Sequence, residues 1–160
     1  MSARAAVLAL AFVAGCASGT KPYDAGGAVK NLTVRTASSA RAALHVHAVD
    51  AQCATQYLGT VALDKPSIDV GVPAGRWSWL EFSFETSGFL ASRRTQMSRG
   101  TLLHPRPGAR YEAEVSYRDD IYGVALREGT RELPLRDFSS CRPRRSVRQL
   151  YRPADNANHA

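Results

Sequence analysis

Tyr111-Glu-Ala-Glu-Val-Ser-Tyr117, Arg118-Asp-Asp120 and Ile121-Tyr-Gly-Val-Ala-Leu126 form the stretch that decides the fold. Side chains alternate across an extended chain, so Tyr111, Ala113, Val115 and Tyr117 share a face, as do Tyr122, Val124 and Leu126. Folding back around Asp119-Asp120 sets Tyr117 against Tyr122, Val115 against Val124 and Ala113 against Leu126. That register keeps the apolar side chains together; a slip of one residue would turn a whole strand to water. A second reversal at Gly129-Thr130 puts Leu126 opposite Leu133 and Arg127 opposite Glu132. Two hairpins agreeing on one buried face specify a meander.

The same period of two runs outward from it, and no segment sustains a helical period. In Trp77 to Glu85, Leu80, Phe82 and Phe84 make a core face, with Trp77, Trp79, Glu81, Ser83 and Glu85 on the other. Leu32-Val34-Thr36, Leu44-Val46-Ala48, Leu58 to Leu63 and Ile68 to Val72 read as earlier strands, punctuated by Gly59, Pro66 and Pro73. Residues 30–141 are therefore expected to form a single all-β domain. It should be an immunoglobulin-like or transthyretin-like sandwich of about seven to nine antiparallel strands.

The N-terminal end has a different grammar. Arg4 precedes an apolar run from Ala5 to Ala14, too short to span a bilayer, and Val13-Ala14-Gly15-Cys16 closes it. This resembles a bacterial lipoprotein signal, with Val-Ala-Gly-Cys as the lipobox. The resemblance implies cleavage after residue 15, diacylglycerol on the Cys16 sulfur and an acylated amine. One acyl chain holds a protein only marginally, whereas several make attachment stable. In enteric bacteria an Asp after the cysteine retains such a protein in the inner membrane. Ala17-Ser18 stand there instead, which implies the outer membrane, facing the periplasm. The alternative is an ordinary secretory signal with Cys16 incidental. After Cys16, residues 17–29, with three Ala and three Gly, have the composition of a flexible tether with a reach of roughly 20 Å.

Removing fifteen residues leaves 145, enough for one domain with a core. Cys53 and Cys141 then remain, and an even pair in an exported chain is most simply a disulfide; free thiols or a metal pair are the alternatives. The net charge of +7 is unevenly spread. Ala17 to Cys141 carries 15 basic and 13 acidic residues, while residues 142–160 carry Arg142, Arg144, Arg145, Arg148 and Arg152 against Asp155 alone. That basic tail has no alternation and reads as disordered. It suits anionic lipid, lipopolysaccharide or acidic polymer, or serves as a solvated tail. The export signal argues against nucleic acid.

Leu58-Gly59-Thr60-Val61-Ala62-Leu63, Val72-Pro73-Ala74-Gly75-Arg76-Trp77 and Pro107-Gly108-Ala109-Arg110-Tyr111 carry a second resemblance. They are similar to the small bacterial β-sandwich domains of the PEGA kind over about residues 43–118. Those domains are surface or envelope modules with no assigned chemistry, so the likeness implies location more than activity.

Enzyme signatures are missing: no G-x-S-x-G, HExxH, P-loop or dinucleotide glycine pattern occurs, and no cofactor is expected. His45 and His47 fall on one side of a strand, a spacing that suits a metal ion but needs a third ligand; the alternative is two solvent-facing histidines. Trp77 and Trp79 are the most suggestive pair. Exposed aromatics stack on sugar rings or anchor protein partners, or else they pack beneath the tether or tail. The expected protein is thus a non-enzymatic lipoprotein, a binding or envelope-assembly module whose partners are the membrane and other envelope proteins. The alternative is a binder of glycan or anionic envelope polymer using Trp77, Trp79 and Arg142, Arg144, Arg145 and Arg148.

Overall fold

The computed structural model describes residues 20–87, 94–118 and 121–142. The signal and Cys16, and the tail from residue 143 with Arg144, Arg145 and Arg148, lie outside the described residues.

Nine strands occur among the described residues: β1 (Leu32–Ser38), β2 (Arg41–Val49), β3 (Thr55–Ala62), β4 (Ser67–Val70), β5 (Trp77–Ser87), β6 (Arg94–Leu103), β7 (Tyr111–Arg118), β8 (Ile121–Glu128) and β9 (Arg131–Leu133). They form a five-stranded sheet in the order β4-β1-β7-β8-β9 and a four-stranded sheet in the order β3-β2-β5-β6. The inner faces make one core. Leu32, Val34, Ala113, Val115 and Leu126 from the first sheet meet Leu44, Val46, Leu80, Phe82 and Phe84 from the second. The Phe84 ring lies 6.1 Å from Tyr117 and 5.7 Å from Tyr122, tying the meander to the opposite sheet.

The meander has the expected register: Tyr117 pairs with Tyr122, Val115 with Val124, Ala113 with Leu126 and Leu126 with Leu133. Its open end is pinned by Glu128, which accepts hydrogen bonds from the Tyr111 hydroxyl at 3.0 Å, Arg106 at 2.7 Å and Arg131 at 2.6 Å. The Arg106 guanidinium, helped by Tyr111 and Arg131, holds the Glu128 carboxyl below the usual range against the opposing effect of desolvation.

Three features depart from what the sequence leads one to expect. First, β1 pairs with β7 in parallel, Leu32 beside Tyr111 and Val34 beside Ala113, so the strands are not all antiparallel. The long separation between the two strands permits it, since a parallel pair needs a crossover rather than a hairpin. Second, β6 is a strand that alternation does not reveal. On the β5 pairing its core-side positions are Met97, Arg99, Thr101 and Leu103, so polar residues interrupt the apolar face. Third, residues 20–28 of the expected tether pack on the domain. Tyr23 N–H donates to Thr60 O at 2.9 Å, Thr60 N–H to Lys21 O at 2.8 Å, and the Tyr23 hydroxyl to Gly71 O at 2.6 Å. This segment closes the gap between the edge of β3 in one sheet and the chain leaving β4 in the other.

The chain after β9 closes the opposite side. Leu102 N–H donates to Arg136 O at 2.8 Å, and Arg136 N–H to Thr101 Oγ1 at 3.0 Å, which moves the chain from one sheet onto the edge of the other. A short 3-10 turn, Phe138–Ser140, then crosses the outer face of the four-stranded sheet. Cys141 ends this strap in a disulfide with Cys53, in the β2–β3 connection, with Cα atoms 6.0 Å apart. The loop at Cys53 is shaped by Asp50, whose carboxylate accepts the N–H groups of Gln52 and Ala54, both at 2.8 Å. Cys53 itself has φ 64, a left-handed conformation uncommon for a side-chain-bearing residue.

Candidate functional site

The strap and the end of the four-stranded sheet enclose an open cavity of about 930 Å³. One wall is the β2–β3 connection; another is Trp77 with His104 behind it; the third is the strap with Arg136, Cys141 and Arg142. Arg76 enters from the turn before β5, where Gly75 N–H donates to Pro105 O at 2.8 Å. Trp77 is 37% exposed and stands edge-on to His104, with ring centroids 5.0 Å apart. That contact fixes the indole while leaving surface open to the cavity.

The electrostatics are one-sided. Arg76, Arg136 and Arg142 are exposed, and none has an ion-pair partner among the described residues. Among the described residues the one carboxylate in the lining is Asp50, whose Oδ1 already accepts two backbone N–H groups of its own loop. The lining therefore brings three arginines together with an aromatic residue.

Trp77 and Trp79, the aromatic pair that the sequence marks out, share a face as alternation requires, but the two differ in surroundings. Trp79 lies beneath the strap, its ring 5.5 Å from Phe138 at 82°, and it fills the space over Gly100, where any Cβ would overlap the indole. Trp79 serves as the seat of the strap, and Trp77 alone of the two lines the cavity. Arg142 joins Trp77 there. Arg76, Arg136 and His104 complete the lining without a signal in the sequence. Pro73-Ala74-Gly75-Arg76 shows only turn chemistry, and Arg136 gains meaning only once the chain after β9 turns onto β6.

His45 and His47 are half-buried on the outer face of the same sheet. His45 is committed on both nitrogens, Nδ1 with Thr60 Oγ1 at 2.7 Å and Nε2 with Ser83 Oγ at 2.9 Å. The Nε2 of His47 is buried without a hydrogen-bond partner, 4.0 Å from Glu81. Burial holds His47 below the ordinary histidine value, with Glu81 opposing and His45 reinforcing. No group of three metal-ligating side chains converges among the described residues.

These features define a β-sandwich with a strapped, cationic end cavity. No family model and no curated protein matches the chain. Two solved structures are similar to it: sea bream transthyretin in complex with thyroxine, and transthyretin from Sparus aurata. The first is 12% identical over 62% of this chain and 97% of its own, with a TM-score of 0.43. The second is 14% identical over 62% and 98%, also with a TM-score of 0.43.

Proposed function

We propose that the chain is a lipid-tethered, non-enzymatic binding or assembly module of a bacterial cell envelope, held at the outer membrane and facing the periplasm. The observation that carries the binding role is the end cavity, where an open indole and three exposed arginines meet around a space large enough for a small molecule or the end of a larger one. A histidine–serine contact among the described residues supports a non-enzymatic role. His45 sits between Ser83 and Thr60, so its second nitrogen meets a neutral hydroxyl rather than an orienting carboxylate. Support for the anchor is the Val13-Ala14-Gly15-Cys16 sequence.

The docked residues 20–28 sharpen the geometry of tethering. Four chain steps lead from Cys16 to Thr20, a reach of at most about 14 Å. An acylated Cys16 would therefore keep the β3 side of the sandwich close to the lipid. Mass spectrometry of the mature N-terminus tests the anchor: a triacylated Cys16 is expected, and an unmodified, freely soluble chain overturns it. Affinity purification from membranes tests the module reading; repeated failure to recover any envelope protein or polymer overturns it.

A further inference from the structure

We infer that the end cavity binds an acidic saccharide: a sugar ring stacked on Trp77, with its carboxylate or phosphate held by Arg76, Arg136 and Arg142. This rests on the binding-module reading and names the ligand class of the same cavity. An exposed indole offers a flat apolar face, which suits the C–H face of a pyranose. Guanidinium groups present a planar donor fork that matches carboxylate and phosphate oxygens. Among the described residues no carboxylate forms an ion pair with Arg76, Arg136 or Arg142, and three arginines against Asp50 leave the lining with an excess of positive charge. An acidic peptide fits less well, because it offers carboxylates to the arginines but no pyranose face to the Trp77 indole.

The strap is part of the site. Arg136 and Arg142 both belong to it, and it is held by the Leu102–Arg136 bond and the Cys53–Cys141 disulfide. Breaking the disulfide frees the Arg142 end, leaving Arg76 and Trp77 on the sheet side. Affinity for the acidic sugar should fall with the strap.

Isothermal titration of the mature chain with trigalacturonate, glucose 6-phosphate, maltotriose and triglutamate tests the inference. Binding of trigalacturonate or glucose 6-phosphate, weakening with added salt, is expected. The probe that binds tells a carboxylate-bearing source from a phosphorylated one. Trp77→Ala and Arg136→Gln should each weaken binding about tenfold, the loss of one stacked ring or one charge-assisted pair. Arg136→Lys keeps the charge, loses the fork and should fall between. The Cys53→Ser/Cys141→Ser chain should bind more weakly than the parent. Near-UV circular dichroism of each variant separates lost binding from lost folding. Maltotriose binding as well as trigalacturonate, triglutamate binding that survives Trp77→Ala, or no probe binding at all would overturn the inference. If no probe binds yet a membrane partner is captured through another surface, the ligand class fails and the module reading stands. If acidic sugar binds but Cys16 is unacylated, the anchor fails and the ligand class stands.

Discussion

The meander from Tyr111 to Leu133 and the strap that follows it are neighbours in the chain and opposites in construction. The meander pairs each strand with the next, so each contact closes a short loop and each reversal sets the register of the following strand. The strap finds its partners far away: Thr101 lies 35 residues from Arg136, and Cys53 lies 88 from Cys141. Closing loops of that length costs more chain entropy, while few non-covalent contacts hold the strap in return. A covalent clasp compensates. The lesson is a division of labour, in which local pairing builds the stable body and a pinned distant segment builds the binding end.

The harshest way to break this comparison is to strike what both regions share. Phe82 is fully buried between the sheets, so Phe82→Ala should cost about 3–5 kcal/mol and lower the denaturant midpoint for the whole domain. A loss confined to one sheet would show that the two layers do not fold as a unit. Next in size is Cys53→Ser/Cys141→Ser, expected to cost about 2–4 kcal/mol in chemical denaturation. Stability equal to that of the parent would mean the clasp does not constrain the unfolded chain.

Gly100→Ala attacks the seat of the strap alone. Its Cβ would overlap the Trp79 indole, forcing Trp79 off the sheet and away from Phe138. An overpacking cost of about 1–3 kcal/mol is expected, with a change in tryptophan fluorescence and the meander intact. Unchanged fluorescence would place Trp79 elsewhere. The smallest effect concerns pH. The folded chain holds the His47 proton more weakly than an unfolded histidine, so its contribution to stability is complete above the ordinary histidine range and is lost as pH falls through it. Melting temperature should therefore decline slightly from about pH 8 to about pH 5, and His47→Gln should flatten that part of the curve. A variant with the full parental slope would remove His47 as the source.

The same division explains how much of the molecule is legible in its residues. Alternation of Tyr111, Ala113, Val115 and Tyr117 against Tyr122, Val124 and Leu126 records a buried face directly, so the hairpin register can be read from sequence. So can the Leu80/Phe82/Phe84 face of β5. The strand β6 cannot, because Arg99 and Thr101 stand where apolar residues would signal a core. The parallel β1–β7 pairing leaves no local trace, since neither strand carries information about a partner so distant. Pairing of Cys53 with Cys141 follows from counting cysteines, but the position of the strap does not, because it depends on a single turn onto β6. Of the four residues assigned to ligand binding, Trp77 and Arg142 stand out in the sequence. Arg76 and Arg136 are unremarkable until the fold puts them beside that pair.

Hydrogen exchange on the mature chain, with and without reductant, tests the central claim most directly. The account predicts that reduction strips protection from the Leu102 amide, which bonds to the strap, and the Cys141 amide, which bonds within it, while Glu114 and Ala125, paired between β7 and β8, keep theirs. Equal loss across both regions, or no loss at Leu102 and Cys141, would contradict it.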